Sequence, residues 1–321
     1  MNVTDNDLEK IEIGKGRMTF VNENRQHELL YCLRRHLLHS KRTSGGSTLN
    51  AILAIAQFGG QTFYSCQVGN DDNGRFYLQD LQTAGIDYHH NENHDDEGTT
   101  GTCLILTTPD RKHTHCIFVG VNEIQSEYDI LSDIVVASDY VYFEAYMVTS
   151  ISTFTNIIRL CEIARVNNVK IAMKFSDSDI IMNYHDRLCE ILKNPIDLLF
   201  CNRTEAISWC QTDEIDIAVD KLKLISRTFV ITRGVKGALV YDGIQLHDIA
   251  SQEVDAIDIK GAGDMFAGAF LFGITHAQDY LSAGHLANLA AATVILNHGS
   301  RLSIDKQKQI LVQNNHLQKT T

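Results

Sequence analysis

Proline is nearly absent from this chain, with only Pro109 and Pro195 among 321 residues. No Gly/Ser-rich or repetitive tract marks a linker, so the sequence reads as a single domain over 1–321. Basic residues are in deficit: 28 Lys and Arg stand against 40 Asp and Glu, a net charge of −12. That balance excludes nucleic acid or an anionic membrane as the main partner, although a nucleotide needs only a few local donors. No apolar run approaches the roughly 18 residues of a membrane span. The start, MNVTDNDLEK, has none of the basic-then-apolar character of a secretion signal. CxxC pairs are also missing. The eight cysteines are scattered, most of them in apolar contexts such as DLLFCN. They read as buried reduced thiols rather than as disulfides or zinc ligands, and the expected compartment is the cytoplasm.

What is present is alternation. DYVYFEAY (139–146) reads as a strand, ISTFTNIIRLCEIARVN (151–167) as a helix, and VKIAMKFSD (169–177) and IDLLFCN (196–202) as strands. These apolar runs are continuous, as in strands covered on both faces, so an α/β fold with a mainly parallel sheet is expected. RTFVITRGVKGALVYDGIQLHDIA adds strand, glycine turn, strand, Asp-Gly turn and strand, an antiparallel hairpin near one edge. In the first third, 26–40 reads as helical and GGSTLNAILAIAQFGG (45–60) as a glycine turn opening a buried helix. Residues 98–120 read as two β segments around a polar turn at Thr108–Lys112, a small β lid that also draws on about 11–21.

Near the C-terminal end stands DIKGAGDMFAGAF. It is no dinucleotide fingerprint, because Phe266 occupies the place of the third glycine of GxGxxG, and no GxxxxGK[ST] occurs in the chain. Gly261, Ala262 and Gly263 do fit a turn whose free amides, at a helix N-terminus, form an anion hole. Asp264 in the following turn would face the same space. The amides can stabilise a moving phosphoryl group while the carboxylate takes the proton of an attacking hydroxyl. The plain alternative is an aspartate that only stabilises its helix dipole. His89, His90 and His94 lie among carboxylates in YHHNENHDDE and could be drawn as a metal site, but a solvated loop accounts for them better.

Taken together, these segments resemble the ribokinase-like (PfkB) family of sugar and nucleoside kinases, its adenosine-kinase-like branch above all. SGGSTLNAILAIAQFGG resembles the family's Gly-Gly-Ser-x-x-Asn helix start, and CQVGNDDNG its Gly-x-Asp-x-x-Gly segment. NRTE resembles Asn-x-x-Glu, TRGVKG resembles Thr-x-Gly-x-x-Gly, and DIKGAGD resembles the signature Asp-Thr-x-Gly-Ala-Gly-Asp with Ile259 for threonine. The resemblance implies a three-layer α/β/α fold, ATP and Mg²⁺ as cofactors with a monovalent cation as a further candidate, and a small-molecule nucleoside or sugar substrate. A monomer or homodimer is expected. It implies Asp264 as the catalytic base, and Gly46 and Asn50 on the substrate hydroxyls. Asn202 and Glu205 would order magnesium and its waters near the phosphates, with no direct protein ligand to the metal assigned. Thr232, Gly234, Gly237 and Asn288 would contact ATP, although the alanine-rich helix of Asn288 is equally explained by helix packing.

Two departures accompany the resemblance. The turn at 108–112 is followed by His113 and Thr114 where an arginine is expected before the Thr or Ser, with Arg111 and Lys112 just upstream. The family's first core strand, with its substrate-binding aspartate, is expected to be missing from this sequence. The activity implied is phosphorylation of a ribose-like hydroxyl, adenosine to AMP first. A free-sugar kinase, a weakly catalytic nucleotide-binding protein and, more distantly, a dinucleotide oxidoreductase are the rivals. If 98–120 is a lid, its amides should exchange hydrogen more slowly once substrate is bound. Equal exchange with and without substrate would contradict that assignment.

Overall fold

The computed structural model describes residues 1–37, 40–90, 98–123 and 130–318, so His94 lies outside the described residues. Contacts divide the chain into two compact units. One comprises Met1–Ser44, Ser65–Thr83 and Tyr88–Ser126, and the other Gly45–Tyr64, Ala84–Asp87 and Glu127–Thr321.

The smaller unit contains the hairpin expected at 98–120. Thr102–Thr107 and His113–Phe118 pair antiparallel, and Met18–Phe20 adds a third strand parallel to the second. Thr114 is buried, and its hydroxyl is satisfied by accepting the Gly16 amide at 2.8 Å. His113 lies 3.0 Å from the Thr107 hydroxyl across the hairpin. One face of this sheet is closed by Val3, Leu8, Ile11, Leu29 and Leu33, which meet Leu104, Leu106 and Cys116. The GNDDNG segment is a structural knot. The Asp71 carboxylate accepts the Thr100 amide at 2.8 Å, the Thr100 hydroxyl at 2.6 Å and the Gly74 amide at 2.7 Å.

The larger unit is built on a six-stranded sheet. Its strands are β1 (Tyr140–Glu144), β2 (Lys170–Lys174), β3 (Ile196–Asn202), β4 (Ser226–Thr232), β5 (Ala238–Tyr241) and β6 (Leu246–Ile249). They lie side by side in chain order; β1 to β4 are parallel, and β5 and β6 return antiparallel. The apolar runs are shorter in the structure than in the sequence pattern. β1 gives way to a 3-10 turn at Ala145–Thr149, and β2 ends at Lys174.

Alternate strand residues enter two separate cores. Val141, Phe143, Ile171, Met173, Leu199, Cys201, Phe229 and Ile231 pack on one face with the helix Ile151–Val166 and its neighbours. Ala172, Leu198, Phe200, Val230, Ala238 and Val240 pack on the other. That second face is covered by α1 (Ser47–Gln57), α2 (Ala262–Thr275) and α3 (Tyr280–Val294). The fold is thus three-layered, α/β/α, as an α/β pattern with strands buried on both sides requires.

Small residues set how closely the helices approach. A Cβ placed on Gly268 of α2 would come within 2.3 Å of the Ala51 carbonyl oxygen and 2.6 Å of the Ala54 Cβ of α1. Without side chains at that crossing, the backbones of α1 and α2 nearly touch, and residues in their first turns become neighbours. None of the eight cysteines is in a disulfide: Cys66, Cys116, Cys161, Cys201 and Cys210 are buried, and Cys32, Cys103 and Cys189 are exposed. Among the described residues, no helix is long and apolar enough to cross a membrane.

Candidate active site

Each parallel strand ends on a polar residue: Glu144, Lys174, Asn202 and Thr232. Strand alternation puts all four on the face covered by α1 and α2, two positions on from Tyr142, Ala172, Phe200 and Val230. Open α/β sheets place their ligands at this carboxyl edge. The register sets Glu144 opposite Lys174, and Asn202 opposite Thr232.

The N-termini of α1 and α2 belong to the same unit. Gly46 is the N-cap of α1 and Gly261 that of α2, and neither can provide a side-chain cap. The amides of the first turn therefore lack an intrahelical acceptor and favour an anion. Only glycine suits position 261, where φ is 75° and a Cβ would lie 2.4 Å from the Ser300 Cβ. A Cβ added at Gly263 would make only an ordinary contact, with Lys174 Cε at 3.8 Å. Gly261, Ala262 and Gly263 thus form a turn with room and positive potential for a phosphoryl group.

Asp264 is buried at the third position of α2. Its Oδ2 accepts from Asn50 Nδ2 at 2.9 Å, and its Oδ1 accepts from the Ser47 hydroxyl and from Lys174 Nζ, the latter at 2.6 Å. Asn50 is oriented in turn by the Ser300 hydroxyl, which donates to its Oδ1 at 2.9 Å. Lys174 also donates to Ser47 Oγ at 2.8 Å and lies 3.6 Å from Glu144.

Burial works against charge on Lys174, but the facing Glu144 and Asp264 carboxylates outweigh it and hold the ammonium above its ordinary pKa. Burial pushes the Glu144 carboxyl up, and the Asp264 charge pushes the same way, against the opposing effect of Lys174. The Tyr142 phenol, which donates to Glu144 at 3.0 Å, is raised for the same first reason, its burial.

Asn202 and Glu205 form a capping box. The Asn202 side chain accepts the Glu205 amide at 2.9 Å, and the Glu205 carboxylate accepts the Asn202 backbone amide at 2.9 Å and its Nδ2 at 2.7 Å. Burial raises Glu205 to about 7, and Glu205 is close enough for its charge to act on Lys174. Its carboxylate is oriented from behind and can accept from the water shell of a hard cation. The donor set suits a magnesium ion that arrives with phosphates and water. Among the described residues, no group of three or more His, Cys, Asp or Glu gathers to hold a metal directly.

Thr232 stands at the end of β4, its hydroxyl 3.5 Å from the Cys201 carbonyl oxygen. Gly234 and Gly237 form the tight turn that follows, where the Gly237 amide donates to the Gly234 carbonyl at 2.9 Å. A Cβ on Gly237 would meet the Ile249 carbonyl oxygen at 1.9 Å, so glycine is obligatory there. Asn288 does not join the cluster, because its amide donates to the Ala250 carbonyl at 2.6 Å and ties α3 to the end of β6. Gly46, Asn50, Gly261–Gly263 and Asp264 come together. Asn202, Glu205 and Thr232 stand further along the same sheet edge.

Sequence motifs did not point to Lys174, Glu144 or Ser300, and Ser47, although it is the serine of the Gly-Gly-Ser-x-x-Asn start, was given no role. A signal existed for two of them: YVYFE and KIAMK each end an apolar strand run on a charge, as IDLLFCN ends on an amide.

Comparison with known proteins bears on the family and the fold. The profile of the pfkB family carbohydrate kinases matches residues 30–307. A ribokinase of Staphylococcus aureus (strain COL) is 26% identical over 279 residues, covering 84% of this chain and 88% of its own length. The crystal structure of adenosine kinase from Sinorhizobium meliloti superposes with a TM-score of 0.86 at 26% identity, covering 98% of this chain and 95% of that one. A putative ribokinase II from E. coli, in complex with ATP and Mg²⁺, shares the fold with a TM-score of 0.75 at 17% identity, over 84% of this chain and 89% of that one.

The Glu205 carboxyl keeps its proton to about pH 7 in the folded chain, against 4.5 for the ordinary group. Between those values the folded state binds more protons than the unfolded state, so this group's contribution to stability declines as pH rises and levels off above. Glu205→Gln keeps the capping oxygen and should remove that decline. Its melting temperature relative to the unaltered chain should therefore climb from pH 4.5 to about 7. An offset that does not change across that window would contradict the assignment.

Proposed function

The chain belongs to the pfkB family of carbohydrate kinases and is a phosphotransferase acting on hydroxyl groups; from that premise we propose that it transfers the γ-phosphoryl group of ATP to a ribose-like hydroxyl, foremost the 5′-hydroxyl of adenosine. The observation that carries this is the placement of Asp264 directly behind an uncapped glycine turn, with its carboxylate held by Asn50 and Ser47. In the transfer, the acceptor oxygen forms its bond to the γ-phosphorus as the bond from phosphorus to the ADP oxygen breaks. The electron pair of that bond leaves with ADP, and the acceptor's proton passes to Asp264. The amides that follow Gly261 stabilise the charge on the phosphoryl oxygens.

Gly46 and Asn50 would receive the substrate's hydroxyls, since one N–H of Asn50 already serves Asp264 and the amide carries a second. Thr232, Gly234 and Gly237 would border the nucleotide. Magnesium, when bound, supplies positive charge to the nucleotide phosphates, and Asn202 and Glu205 would order its waters. The hairpin at 98–120 keeps its proposed role as a lid. Likeness over almost the whole chain to an adenosine kinase structure supports a nucleoside acceptor. Equal identity to a ribokinase supports the second reading, a free-sugar kinase of the same family.

ADP release with adenosine, inosine, ribose and fructose tests both readings. Asp264→Asn should lower kcat by about 10²-fold or more while ATP binding persists, the size expected for a lost general base. Near-normal turnover by that variant with the preferred acceptor would contradict the role of Asp264. Measurable ATP binding without turnover of any acceptor by the unaltered chain would favour a nucleotide-binding protein.

A further inference from the structure

Lys174 has no part in the transfer as described so far, yet it makes the shortest contact to the base from outside the two glycine-started helices. We propose that Lys174 is a positioning residue for the transfer: with Ser47 it occupies Oδ1 of Asp264 and so leaves Oδ2 as the oxygen that takes the acceptor's proton. The inference rests on the reading of Asp264 as the base.

A carboxylate has about four lone-pair positions. Oδ1 receives two donors, the Ser47 hydroxyl and the Lys174 ammonium at 2.6 Å. Oδ2 receives Asn50 Nδ2 at 2.9 Å and has a lone pair to spare. Asn50 cannot flip without losing the Ser300 hydroxyl from its own oxygen, so the edge it shares with Oδ2 is fixed. A hydroxyl arriving beside Asn50 meets Oδ2 and not Oδ1.

Lys174 is equally constrained. It is the last residue of β2, its Nζ donates to Ser47 Oγ at 2.8 Å, and Glu144 faces it at 3.6 Å. Glu144 is in turn held by the Tyr142 hydroxyl at 3.0 Å and the Ser176 hydroxyl at 3.3 Å. Among the described residues, Glu144 from β1 and Lys174 from β2 are charged groups beside Asp264, and Glu205, beyond β3, acts on Lys174. Buried ion pairs contribute little net stability, because desolvation offsets their attraction. What they do provide is direction, and here the direction is the rotation of one carboxylate.

Lys174→Met alone would strand two buried carboxylates, so the informative variant is Lys174→Met with Glu144→Gln, which removes a charge of each sign. It should melt close to the unaltered chain, keep KM for ATP and acceptor within about twofold, and lose about tenfold or more in kcat, as expected for a displaced reacting group. Lys174→Arg, which restores a cationic donor, should recover part of that loss. If the double variant folds and turns over at the unaltered kcat while Asp264→Asn does not, the inference is overturned and the kinase reading stands. A loss confined to melting temperature would overturn it too, by showing a purely structural lysine. No turnover of any acceptor by the unaltered chain would remove the kinase reading and this inference together.

Discussion

Two carboxylates from distant parts of the chain, Glu144 and Asp264, lie buried around a single ammonium, that of Lys174. Burial and the Asp264 charge both push the Glu144 carboxyl up, and Lys174 opposes them. Burial alone would pull the lysine below its ordinary pKa, and the two carboxylates reverse that. The three groups justify one another, and the site is arranged around them. Ser47 bridges the ammonium to Asp264, Asn50 takes the other oxygen of Asp264, and Ser300 fixes Asn50.

The backbone makes this cluster reachable. Asn50 and Asp264 are 214 residues apart in sequence, and they meet because α1 and α2 cross at Gly268 with almost no side chain between them. Both helices begin at a glycine that offers no side-chain cap. Their first-turn amides thereby lack a side-chain acceptor, whereas the helix that follows Asn202 is capped by its own residues. This contrast separates the place suited to a moving phosphoryl group from the place suited to orienting a carboxylate. Both stand at the carboxyl edge of one parallel sheet.

Much of this was legible from local pattern. Continuous apolar runs at 139–146, 169–177 and 196–202 gave the buried parallel strands, and the glycine doublet at 45–46 and GAGD at 261–264 gave the two helix starts. Asp264 and the Gly261–Gly263 turn could be singled out because their spacing is short and chemically specific, whereas Asn50 came from the family resemblance. Lys174 and Glu144 escaped notice because their meaning lies in strand register. A charge at the end of KIAMK says little until β1 is known to lie beside it and α2 above it. Ser300 is harder still, since it sits in a loop and acts only through Asn50. Asn288 could not be decided from its alanine-rich helix, which fits a pocket wall and plain helix packing alike; in the structure its amide donates to the Ala250 carbonyl.

The account turns on Lys174 and Asp264 acting as a pair, and a double-mutant cycle in folding stability measures that directly. Lys174→Met, Asp264→Asn and the combined variant would each be unfolded with urea. A true buried pair predicts that the combined change falls short of the sum of the single changes by at least about 1 kcal/mol. Additivity within about 0.5 kcal/mol would show that the two side chains do not hold one another, and would contradict the account.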